Sequence, residues 1–157
     1  ETFIILTVSD EDNSVCFASN SYYVIWPNET VVYAVTPTRL PDSCLGKKVD
    51  LVVVPGEFGI SPVDFNPLLA SQAAFTDQDT VSVSVVNNLN TSISHARVYV
   101  ILRDSASRIV GGGYQTTQLI RSGSSTSVTV PVAYLGDQES LTISVFATLP
   151  ADVEFGQ

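Results

Sequence analysis

The chain contains no methionine, one histidine, one tryptophan and two cysteines, and only 15% of its 157 residues are charged. Each scarcity removes a class of function. Nucleophilic catalysis needs a base beside its Ser or Cys, and His95, at the start of a predicted strand among Ser92, Ser94 and Ala96, reads instead as a solvent-facing or capping residue. Two Cys and one His do not make the paired spacing of a zinc site. Seven Lys and Arg stand against sixteen Asp and Glu, a formal net charge of −9. Nucleic acids and anionic membrane surfaces demand clustered cations, whereas here the basic residues are scattered apart from Lys47-Lys48. No apolar run approaches the roughly 20 residues that span a bilayer. The residues therefore point to no enzyme, no cofactor and no metal.

What the chain has in abundance is sheet-forming material. Ser and Thr make up roughly a fifth of it, Val and Ile are frequent, and 45% of residues are hydrophobic, a balance that favours pleated sheet over helix and excludes disorder. At 16.8 kDa it is large enough for one domain with a buried core. The strand signal is clearest from Thr80 onward. Val81, Val83 and Val85 alternate with Ser82 and Ser84; Ala96, Val98, Val100 and Leu102 alternate with Arg97, Tyr99 and Arg103. Turn residues at Asn87–Asn90, Asp104–Ser107 and Gly136-Asp137 separate these from further strands at 108–114, 127–132 and 141–147. Short strands at this spacing specify an all-β, immunoglobulin-like sandwich. Before it, Val15–Ala18, Tyr22–Trp26, Thr30–Val35 and Val49–Val54 are apolar runs, the last reading as a strand covered on both faces. One stretch departs from the pattern: Asn66-Pro67 followed by Leu68–Ala74 has an N-cap residue, a Pro at the first helical position and two turns of helix formers, and predicts one short surface helix packing Leu68, Leu69 and Phe75.

Gly111-Gly112-Gly113 sits in a β-rich segment, not before a helix as a phosphate loop would, and reads as a bulge or a close backbone approach. Asp10-Glu11-Asp12-Asn13 offers oxygen ligands for calcium but lacks the glycine and distal Glu of an EF-hand loop, so it reads as a solvated linker. Asn28-Glu29-Thr30 and Asn90-Thr91-Ser92 are N-glycosylation sequons at predicted turns. Cys16 and Cys44, if bridged, close a loop of about 29 residues, stabilising by roughly 3–4 kcal/mol; the alternative is two buried thiols. Absence of Met, few Lys and abundant Ser and Thr favour the oxidised, extracellular pair. The first residues are too few and lack the basic flank of a signal peptide, so the sequence reads as the product of export.

The second half resembles the FxLYD and CARDB-like immunoglobulin-type domains of secreted and surface proteins. The matching elements are Val85-Val86-Asn87, the strand Ala96–Leu102, Asp104 with Arg108-Ile109-Val110, and Leu119 with Gly123-Ser124-Ser125 before Val128, over about 70 residues. It departs at the name-giving motif, where Ile101-Leu102-Arg103-Asp104 has Arg in place of Tyr. The resemblance implies a structural or interaction module without catalytic residues.

The opening Thr2-Phe3-Ile4-Ile5-Leu6-Thr7-Val8-Ser9 is an apolar strand followed by the acidic break 10–14. Such a strand must enter a sheet. It either returns to its own sandwich or complements an open groove in the next subunit, where main-chain bonds complete the sheet. Burying Phe3, Ile4, Ile5, Leu6 and Val8 contributes roughly 8–12 kcal/mol before association costs, and a non-closing head-to-tail contact propagates as a filament. A secreted sandwich with such an arm resembles the subunits of archaeal thread-type or bundling-pilus filaments. The expected organisation is a donor strand at 1–9, a linker at 10–14 and a head at 15–157, forming a homopolymer at the cell surface. The competing readings are a monomeric cell-surface binding or adhesion domain, and a carbohydrate-active enzyme or its accessory module, for which Trp26 and the Tyr residues would stack on sugar.

Overall fold

The computed structural model describes residues 2–23, 48–55 and 67–150. They form ten strands: β1 Thr2–Ser9, β2 Val15–Tyr23, β3 Lys48–Pro55, β4 Leu68–Asp77, β5 Thr80–Asn87, β6 Arg97–Arg103, β7 Ile109–Thr116, β8 Ser125–Pro131, β9 Ala133–Tyr134 and β10 Thr142–Thr148. Pairing is antiparallel throughout, in three sheets of order β2-β1-β3, β10-β6-β7-β9 and β4-β5-β8. The all-β, sandwich-like expectation holds.

The last two sheets make the sandwich. Alternation on β5 turns Val81, Val83 and Val85 inward, and alternation on β6 does the same for Val98, Val100 and Leu102. With Val128 and Val130 of β8, and Ile93 and Ile120 bridging one end, they form a single core cluster drawn entirely from residues 68–149. Each fully buried Val, Leu or Ile contributes about 1.5–3 kcal/mol. The end beyond Ile93 and Ile120 is tied by Asn87, fully buried: its Nδ2 donates to the carbonyls of Thr91 (2.9 Å) and Ile120 (3.2 Å), and its Oδ1 accepts from Leu89 N–H (3.0 Å). Buried polar atoms need such partners. Among the described residues Thr148 Oγ1 is the exception, buried with none.

The helix predicted at Leu68–Ala74 is a strand. Leu68–Asp77 pairs with β5, and a bulge between Ser71 and Ala74, where Gln72 has φ 52°, inserts one extra residue. Before the bulge the core-facing residues are Leu68 and Ala70; after it they are Ala73 and Phe75. The phase of the alternation slips by one, so the apolar positions no longer read as period two. Among the described residues the helical content is one 3₁₀ turn, Gln138–Ser140, capped by the Asp137 carboxylate.

The three consecutive glycines on β7 serve close approach, as their context suggested. A Cβ on Gly113 would overlap the Pro131 carbonyl oxygen, and one on Gly111 the Ala133 carbonyl oxygen. Pro131 and Ala133 flank the point where the chain leaves the β4-β5-β8 sheet and joins β7 as β9. Only a bare backbone lets that crossing lie so near.

Candidate assembly site

Among the described residues, the β2-β1-β3 sheet contributes no side chain to the core cluster of the sandwich. At its centre is β1, expected as the arm that complements a neighbouring subunit. Both its edges are taken within its own chain, by β2 from Thr2↔Tyr23 to Ser9↔Val15 and by β3 from Thr2↔Pro55 to Ser9↔Lys48. The backbone of Phe3, Ile4, Ile5, Leu6 and Val8 thus pairs in cis; Val8 is buried, and Ile5 and Leu6 are half-buried.

The expected linker at 10–14 is the hairpin turn that enforces this pairing. The Asp10 carboxylate Oδ1 accepts from the N–H groups of Asp12 (3.0 Å) and Ser14 (2.8 Å). The Asp10 carbonyl accepts from Asn13 N–H, the Asp10 N–H donates to Ser14 O, and Asn13 has φ 61°. The same device recurs at Asp104–Arg108: Oδ1 of Asp104 accepts from Ala106 and Arg108 N–H at 2.9 Å each, and Ser107 has φ 60°. Aspartate opens such turns because its carboxylate bonds backbone N–H groups two and four residues on. An extra residue at Cys16 follows, where Val8 faces Phe17 but Ser9 faces Val15. Cys16 Sγ lies 3.3 Å from the Val8 carbonyl oxygen.

Strand β3 departs most from its sequence reading. A run apolar at both parities predicts cover on both faces, yet Val49 and Val53 are 60% and 53% exposed on one face and Val52 and Val54 are 51% and 44% exposed on the other. Among the described residues β3 pairs with β1 alone and forms an edge of the sheet. Lys48 and Asp50, one face and two residues apart, are joined by a 3.0 Å ion pair that leaves the edge locally neutral. An apolar edge with no second partner strand among the described residues is a template for another strand. Its sequence signal is Val52-Val53-Val54, where apolarity has no alternation.

Other candidate residues fall as follows. Cys44, Asn28 and Trp26 lie outside the described residues. Asn90 is exposed in the turn between β5 and Ile93. His95 is half-buried, with its Nδ1 2.8 Å from Ser94 Oγ. Among the described residues no three His, Cys, Asp or Glu side chains gather as metal ligands do, and no helix is long and apolar enough to cross a membrane. Hydrogen bonding to the Arg108 side chain holds the Asp104 carboxyl below its ordinary range. Compared with known proteins, the chain matches no family model, no curated protein and no solved structure.

Proposed function

We propose that the chain is a structural module of the cell exterior that joins further copies of itself by β-strand addition, as the subunit of a filament. The observation that carries this reading is β3, apolar, exposed on both faces and, among the described residues, an edge of its sheet. Assembly through Thr2–Ser9 would require that strand to leave two ladders of its own sheet, so we assign the contact to Lys48–Pro55, met head to tail by the opposite edge strand of the next copy's sheet, Val15–Tyr23. Covering the exposed half of four valines contributes roughly 3–6 kcal/mol per copy, against association costs of about 4–15 kcal/mol. Main-chain bonds along the edge add to the gain. The balance describes a reversible, concentration-dependent contact, and one that salt strengthens by screening the repulsion between chains of net charge −9.

The exterior setting draws on the Ser- and Thr-rich, Met-free composition, the likeness of the second half to FxLYD and CARDB-like domains, and a Cys16–Cys44 bridge. Cys16 carries no free thiol, which supports the bridge.

Sedimentation velocity over a concentration series, with electron microscopy of the most concentrated sample, tests the assembly. Chains that add to one another as concentration and salt rise support it. A chain that stays monomeric throughout rejects it in favour of the surface-binding domain, in which the same edge receives a strand of another protein.

A further inference from the structure

We infer that Asn90 is an N-glycan acceptor, presented to solvent by a turn whose backbone is tied down on both sides of it. This rests on the exterior setting proposed above. The flanks of Asn90 are fixed: Leu89 O accepts from Ser122 Oγ (2.9 Å), Thr91 O accepts from Asn87 Nδ2 (2.9 Å), and Asn88 N–H donates to Pro67 O (3.0 Å). Asn90 itself is exposed, and among the described residues its carboxamide has no hydrogen bond. The contrast with Asn87 is sharp. Three residues away in the same turn, that carboxamide is buried and fully used, and no sequon begins there.

Two features make the site coherent. Ser92, the hydroxyl residue of the sequon, lies at the surface side of the turn, where its Oγ accepts from Ser122 N–H at 3.4 Å. The turn also lies outside the packed alternation of β5, whose inward face ends at Val85 before the Asn87 plug, so a bulky group on Asn90 displaces no core side chain. The co-reactant is a polyprenyl-diphosphate oligosaccharide. Asn90 Nδ2 bonds to the anomeric carbon of its first sugar, the bond from that carbon to the diphosphate oxygen breaks, polyprenyl diphosphate leaves, and Nδ2 gives up one proton. The result is a neutral amide-linked sugar on a surface loop.

The full chain, given a secretory signal and made in a glycosylating host, tests this, with translation into microsomes as a second measurement should the secreted yield be poor. Peptide mass spectrometry should find a hexosamine-based glycan on the peptide holding Asn90. Enzymatic deglycosylation should leave aspartate at position 90. The glycan should vanish in Asn90→Gln and equally in Ser92→Ala, which keeps the asparagine, while Asn28→Gln leaves it in place. An unmodified Asn90 in chain recovered from the secretory lumen or medium overturns the inference. The two proposals separate cleanly: a chain glycosylated at Asn90 yet monomeric at every concentration sinks the assembly, and an assembling chain bare at Asn90 sinks this site.

Discussion

Replacing Gly113 by alanine should be among the most damaging single-methyl additions this sandwich can receive. The new Cβ would overlap the Pro131 carbonyl oxygen and lie 3.0 Å from the Pro131 carbonyl carbon and 3.3 Å from Val132 Cα, all backbone. Ordinary contact begins at 3.4 Å, and no flexible side-chain end is available to yield. Either β7 moves off β6 or the crossing from β8 to β9 is pushed outward, and both disturb buried Val130 and Val132. Overpacking of this kind costs about 1–3 kcal/mol, and the rigid neighbours place Gly113→Ala near 3. For a sandwich of under a hundred residues that is a fall in Tm of roughly 12–24 °C. Gly123→Ala is the matched control: it has φ 62° but nothing within 4 Å of the added atom, so only the left-handed backbone is penalised, by about 1 kcal/mol. Urea unfolding followed by circular dichroism gives both values. A Gly113→Ala chain within about 0.5 kcal/mol of the parent, or less affected than Gly123→Ala, would refute the reasoning.

Thr148→Val should stabilise by about 1 kcal/mol, because an isosteric methyl replaces a buried hydroxyl that has no partner; a loss on urea denaturation would show that Oγ1 is satisfied after all. The Asp104 carboxyl should titrate below the ordinary 3.8 by NMR and return toward it in Arg108→Ala. Its folded pKa is depressed, so the stabilisation it gives is present above the unfolded value and disappears as pH falls through the folded one; a midpoint at or above 3.8 in the parent contradicts the turn geometry. Intact mass before and after reduction should differ by about 2 Da if Cys16 and Cys44 are bridged, and reduction should lower Tm. An unchanged mass removes the bridge.

How far the sequence was legible depended on whether side chains alternated without interruption. Val81, Val83 and Val85, and Val98, Val100 and Leu102, keep strict period two, and all six are fully buried on the facing sheets. Leu68–Asp77 misled because the bulge at Gln72 shifts the inward face from even to odd positions, leaving Leu68 and Phe75 seven apart as on a helix. The glycine run was readable because such a run in β-rich surroundings has few uses other than close approach. The segment 10–14 looked like a tether for its charge, while its decisive feature was the aspartate at its head, repeated at Asp104 with the same bonding pattern. Strand β3 departs from its sequence pattern for a different reason. Apolar composition reports what a strand would bury, not whether a partner lies within the same chain, and among the described residues β3 has one on a single side.

Hydrogen exchange across Lys48–Pro55, followed by mass spectrometry at increasing protein concentration, bears most directly on the assembly. In the isolated chain the amides of β3 that face β1 are bonded; the alternate amides have no strand partner among the described residues and should exchange rapidly. Slowing of those positions as concentration rises, abolished in Val53→Lys at unchanged Tm, is the result expected of strand addition at this edge. Exchange at β3 that stays rapid at every concentration, while assemblies nevertheless form, would contradict it.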